Sequence, residues 1–98
     1  MFVKIIKSYR DVVGVCDSEI LGSVFEEGNI RLEVKESFFK GDKMSKDKVI
    51  GLMKKMSSED ATFNIVGKKS VDCALDAGVI TKENIKRVNG IPFALVLA

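Results

Sequence analysis

A chain of 98 residues with 46% hydrophobic and 31% charged side chains has the length for one core and enough apolar content to fold, which excludes two independent domains and intrinsic disorder as its main state. Its 16 basic and 14 acidic side chains leave a formal charge of +2, far from the strong basicity of a domain whose main work is neutralising a phosphate backbone. Histidine is absent, and with it go serine–histidine and cysteine–histidine nucleophiles, histidine acid–base catalysis and every histidine-containing metal site.

In chain order, the β-branched residues between Phe2 and Ser8 predict a strand, and Tyr9-Arg10-Asp11 a turn. Val12 to Cys16 is a continuous apolar run of strand length, suited to a strand covered on both faces, with Gly14 marking a bulge or a close backbone approach. The two strands are expected to form a hairpin. Asp17 and Ser18 offer side-chain acceptors for a helix start, and Glu19 to Asn29 reads as one or two short turns closed by Gly28-Asn29. Ile30 to Glu36 alternates apolar with charged residues, the period of a strand with one solvated face.

Ser45 can cap a helix running to about Ser57, in which Val49, Leu52, Met53 and Met56 recur at three- and four-residue spacing. A strand at Thr62 to Val66 follows, and the Ile30 strand, this helix and the Thr62 strand have the lengths of a crossover between parallel strands. Ser70 to Ala77 predicts a second helix with a Val71, Ala74 and Leu75 stripe, ended by Gly78 with Val79 placed for the accompanying contact. Thr81 can cap one further turn through Ile85. After Asn89-Gly90, the apolar strand Phe93 to Leu97 belongs inside a sheet or under a partner. The expectation is an α+β protein, a single compact domain over residues 1–98 with a mixed sheet of about five to six strands and two main helices.

Charge is unevenly spread. Residues 17–36 carry six carboxylates against Arg31 and Lys35, whereas residues 40–55 carry six lysines against Asp42 and Asp47. Phe38 and Phe39 next to Lys40, Lys43, Lys46 and Lys48 join aromatic planes to cations, a combination that single-stranded RNA binders use; the plainer reading has the rings pinning a loop to the core. Gly67, Lys68, Lys69 and Ser70, between a predicted strand and a helix, could hold an anion on backbone N–H groups and two ammonium groups. They are not a Walker A loop, because Thr62 stands where that motif needs its first glycine and Lys69 where it needs Ser or Thr. The plainer reading is a glycine turn and an exposed helix start.

Asp17, Glu19, Glu26 and Glu27 could gather around a hard cation, but their spacing matches no EF-hand loop, so no metal or other cofactor is assigned. Cys16 and Cys73 lack the CxxC spacing of metal sites and fit buried, reduced thiols. With no signal peptide and no apolar run near the ~20 residues of a membrane span, a soluble cytoplasmic protein without a membrane partner is expected.

Taken together, Val15-Cys16-Asp17-Ser18-Glu19-Ile20-Leu21-Gly22, the Phe38-Phe39-Lys40-Gly41 segment, Asn64-Ile65-Val66-Gly67 and Gly90-Ile91-Pro92-Phe93-Ala94 resemble the archaeal "domain of unknown function 424" family over nearly the whole chain. The resemblance implies an archaeal source and a small stand-alone cytosolic protein, and supplies no catalytic residues. The family pattern carries Phe-Tyr and Pro-His-Ala where this chain has Phe38-Phe39 and Pro92-Phe93-Ala94, departures that favour packing or binding over catalysis at those positions. The reading that follows is a non-catalytic binding module for RNA or a ribonucleoprotein. The alternative is a protein-interaction subunit or homodimer using apolar strand edges, and the third is a small enzyme with a carboxylate or phosphate-binding site.

Overall fold

The two β-branched segments near the start form β1 (Phe2–Ile6) and β2 (Val12–Cys16), an antiparallel hairpin in a computed structural model that describes residues 1–97. Glycine at position 14 is required by a close approach. A Cβ there would stand 2.7 Å from the Phe38 carbonyl oxygen and 3.2 Å from the Phe39 ring. Those atoms belong to α1 (Glu36–Phe39), a single helical turn where the sequence suggested a loop.

Between β2 and α1, a 3₁₀ turn at Ser18–Ile20 leads to a second hairpin, β3 (Val24–Glu27) and β4 (Ile30–Glu33). Strand β3 lies where only turns were expected, with Gly28-Asn29 as its hairpin turn. The alternating strand at Ile30 is real but shorter, and it does not join the main sheet. Its pairing explains why: Val24, Glu26, Arg31 and Glu33 share one face of the hairpin, with Arg31 ion-paired to both glutamates, while Phe25 and Leu32 pack on the core from the other. A strand with one charged face has no place in the middle of a sheet covered on both sides.

The main sheet is completed by β5 (Asp42–Lys43), β6 (Thr62–Val66), β7 (Lys86–Val88) and β8 (Ile91–Val96), in the order β5-β1-β2-β6-β8-β7. The parallel partner of the Thr62 strand is therefore β2, in the register Cys16 opposite Val66, and not the Ile30 strand; all other pairs are antiparallel. The crossover runs through α2 (Lys46–Ser58), and α3 (Lys68–Asp76) follows β6. Strand β8 lies inside the sheet, between β6 and β7.

One face of the sheet presents Val3, Val13, Val15, Phe63, Ile65 and Ala94 to Val49, Met53 and Met56 of α2 and to Val71, Cys73 and Ala74 of α3. Fully burying a side chain such as Phe63 or Met53 is worth about 1.5–3 kcal/mol. The other face is covered by α1 and the β3–β4 hairpin, through a smaller cluster around Cys16, Val34, Phe39 and Val66. Helix α3 ends as its sequence predicts, with Gly78 N–H donating to Leu75 O and Val79 N–H to Ala74 O. Thr81 and Asn84 form a reciprocal cap on a last 3₁₀ turn. No helix among the described residues is long and apolar enough to cross a membrane.

Both cysteines are free and buried. Burial pushes the Cys16 thiol from 9.0 up to about 11, with Asp17 adding to the shift, and burial also raises Cys73. A thiol whose folded value lies above its unfolded one contributes stability below pH 9 that is lost as the pH rises towards 11. Urea denaturation across this range should show that loss, and Cys16→Ala should flatten it. The glycines give a second test: Gly14→Ala should destabilise by about 1–3 kcal/mol through overpacking. By contrast, Gly51→Ala, on an exposed part of α2 with open space around it, should stabilise by about 1 kcal/mol.

Candidate functional site

The parallel register of β2 and β6 brings the residues that follow them, Asp17 and Gly67, side by side. Gly67 is the N-cap of α3 and has no side chain with which to cap it. Asp17 does so from the neighbouring strand. Its Oδ1 accepts from Ser70 N–H and Ser70 Oγ, both at 2.8 Å, and its Oδ2 accepts from Lys69 N–H at 3.1 Å. The fit demands glycine at 67 twice over, because φ is +108° and a Cβ would meet both carboxylate oxygens at 2.7 Å. Asp17 and Ser70 are the two buried polar side chains of the described core.

The anion at the start of α3 is thus the chain's own. Of the four candidate anion-binding residues, Gly67 and Ser70 are buried against Asp17, Lys69 lies 3.9 Å from Glu19, and Lys68 is exposed. The acidic group does not assemble. Asp17 is engaged at α3, Glu19 faces Lys69, Glu26 faces Arg31, and Glu27 accepts from Asn89 N–H at 2.6 Å. Among the described residues, no three potential ligands are placed to hold a metal ion. Asp17 does not cap its own 3₁₀ turn, and with both oxygens engaged inside the fold it is a structural acceptor rather than a free acid or base.

The aromatic and lysine candidates lie near the β5 edge. Phe39 is 5% exposed and packs on Gly14; Phe38 is half-buried, edge to face with it at 5.2 Å. The rings pin α1 to the sheet. Lys40 is exposed, Lys43 lies 6.0 Å over the Phe2 ring, and of the two lysines in the first turn of α2, Lys46 is 3.6 Å from Asp76 while Lys48 is exposed. Phe93 is half-buried and shares with Phe38 and Leu95 a shallow apolar groove of about 290 Å³ on the hairpin side of the sheet.

A cleft of about 830 Å³ opens beside Asp17 and Gly67 at the carboxyl ends of the parallel strands, where open α/β sheets take their ligands. One wall is a single stripe of α3, Lys68, Val71, Asp72 and Leu75, at the spacing of one helical face. The others are Glu19 and Ile20 of the first 3₁₀ turn and Lys82, Ile85, Arg87 and Gly90 to Pro92. Lys68, Lys82 and Arg87 have no carboxylate within 4.0 Å among the described residues. Sequence reasoning found Lys68 but missed Lys82, Arg87 and Asp72. The stripe of α3 was readable; the convergence of residues 82 and 87 on it was not.

The fold and cleft define a small α+β protein with one mixed sheet and a charged-rimmed pocket at its central strands. The chain belongs to the family described as Protein of unknown function (DUF424), whose pattern matches residues 6–98. Its structure is similar to that of an uncharacterized conserved protein from Methanopyrus kandleri, with a TM-score of 0.85 and 20% identity over 99% of this chain and 92% of the other, a likeness of fold. No curated protein matches the chain. Asp17, Gly67 and Gly90-Ile91-Pro92, from three separate segments of the family resemblance, all line the cleft.

Removing the carboxylate strands two N–H groups and a hydroxyl, so Asp17→Ala should cost about 1–3 kcal/mol in urea denaturation. Asp17→Asn, which keeps one acceptor oxygen, should recover part of that loss. Equal costs for the two variants would show that packing, not hydrogen bonding, holds the start of α3.

Proposed function

We propose that the protein is a non-catalytic binding module for single-stranded RNA, free or within a ribonucleoprotein, and that the cleft beside Asp17 is its binding site. The observation that carries this reading is the set of three unpaired cations, Lys68, Lys82 and Arg87, around a cleft with Ile20, Val71, Leu75, Ile85, Ile91 and Pro92 in its walls. Two of the three lining carboxylates, Asp17 and Glu19, are already engaged by Ser70 and Lys69. Cations position phosphates, and apolar walls accept bases that a single strand can turn outward. The support lies in the cleft and not in the Phe38-Phe39 segment, because Phe39 is spent on packing against Gly14. An archaeal, cytoplasmic setting belongs to the same proposal, supported by the Methanopyrus kandleri relative and by two cysteines left as free thiols.

The competing reading, a protein-interaction subunit, draws on Leu95, 52% exposed in the apolar groove, and on Leu97, 74% exposed. The strand edges themselves do not favour it. The edge strands β5 and β7 are two and three residues long and carry Asp42, Lys43, Lys86 and Arg87.

Fluorescence anisotropy with a labelled single-stranded RNA separates these readings. Binding should weaken with added salt, and Lys68→Glu/Arg87→Glu should weaken it by about tenfold or more, while Lys40→Glu/Lys43→Glu changes it by less than about twofold. If the second pair carries the larger effect, RNA lies on the β5 edge and the cleft assignment fails. If RNA does not bind and the protein self-associates in analytical ultracentrifugation in a way that Leu95→Asp abolishes, the protein-interaction reading replaces this one.

A further inference from the structure

We infer that the cleft is a one-nucleotide site, which takes a nucleoside phosphate as the end of a strand or as a free nucleotide, base inward and phosphate outward, and does not track a polymer. This rests on the RNA reading above and narrows it.

The first argument is size and shape. About 830 Å³ falls within the range of sites that enclose one small ligand, and here α3, the first 3₁₀ turn and residues 82–92 wall the space. Single-strand binders that read several nucleotides instead use an extended basic groove with successive stacking platforms. Two aromatic residues that could have served so, Phe38 and Phe39, lie outside the cleft.

The second is the gradient of polarity. Val71 and Pro92 are buried and Leu75, Ile85 and Ile91 half-buried, so the interior is apolar apart from Asp17, whose carboxylate is taken up by Lys69 and Ser70, whereas Lys68, Lys82 and Arg87 are exposed at the rim. A bare phosphate gains nothing from such walls. The two N–H groups at the start of α3 that could draw it deep already donate to Asp17. A ligand with an apolar, planar end and an anionic end satisfies both regions at once.

The third is Asp72, exposed at the mouth of the cleft on the same stripe of α3, where the polar edge of a base laid with its faces on the apolar walls comes out, and with no cation within 4.0 Å among the described residues. A carboxylate only accepts hydrogen bonds and repels phosphate, so its complement is a base edge that donates. Guanine presents adjacent N1–H and N2–H groups to a carboxylate, while uracil presents one N–H between two carbonyl oxygens. The site therefore prefers guanine to uracil.

Calorimetric titration with GMP, UMP, guanosine and inorganic phosphate, together with anisotropy on 5′-phosphorylated oligoguanylates of increasing length, tests this. GMP should bind about tenfold more tightly than guanosine or inorganic phosphate, and about fivefold more tightly than UMP. Asp72→Asn should bring the GMP-to-UMP ratio below about two without moving the urea midpoint. Affinity should level off by about two nucleotides, with a log–log salt slope no steeper than about −1.5, as one doubly charged terminal phosphate allows. Affinity that keeps rising through about ten nucleotides, with a slope beyond about −4, would overturn the one-nucleotide site and leave the RNA reading standing. Nucleotide binding without any tighter RNA binding would keep the site and remove the polymer. Failure of every nucleotide and oligonucleotide to bind would end both.

Discussion

The carboxylate of Asp17 at the start of α3 is the contact on which the arrangement of this protein turns. A helix N-terminus leaves backbone N–H groups without partners, and burying them unsatisfied is costly. Here the N-cap is Gly67, which can offer no side chain, and the acceptor comes from the end of the adjacent parallel strand, 52 and 53 residues away from its donors. The exchange links β2, β6 and α3 in one step. It makes the glycine obligatory and fixes the angle at which α3 leaves the sheet. That angle in turn sets which stripe of α3 faces the cleft. The internal acceptor also shapes the site's chemistry, because binding at the cleft must depend on side chains and not on a cradle of free backbone donors.

The two faces of the sheet have different duties. The face under α2 and α3 holds the larger core, with Phe63, Met53 and Ile65 fully buried. The opposite face is closed more lightly, by a one-turn helix and a two-stranded hairpin whose outer surface is held by the Arg31 ion pairs. Those pairs lower Glu33 through the Arg31 hydrogen bond, but they are exposed, and exposed pairs contribute little to stability. What fastens this cover is apolar: Phe39 against Gly14, and Phe25 and Leu32 against the cluster around Val34.

Much of the fold was legible because it is encoded locally. The β1–β2 hairpin, α2, β6 and the Gly78 termination of α3 each announce themselves within a dozen residues, through period, cap or turn. Strand β3 was hidden by Gly22 and by the acidic pair at its end, and β5 is too short to carry a pattern. Pairing was the larger failure. Ile30–Glu33 has the cleaner strand signature, yet β2 takes the place beside β6, since the choice depends on which strand can be buried on both faces. The same limit applied to the site. Asp17 reads as a local cap because its true donors are far along the chain, and Lys68 was found by its neighbours in sequence, whereas Lys82, Arg87 and Asp72 become a group only when the sheet closes.

Strand β8 sits between β6 and β7 although it follows both β6 and β7 in chain order. Until residues 91–96 emerge from the ribosome, β6 has an open side, and Phe63 and Ile65 lack part of their cover. The nascent chain therefore passes through a state in which a central, apolar strand is an unguarded edge, the condition most prone to pairing with another chain. Its closure depends on contacts distant in sequence, which form slowly. The interval before β8 docks is therefore the one in which the sheet is most open to aggregation.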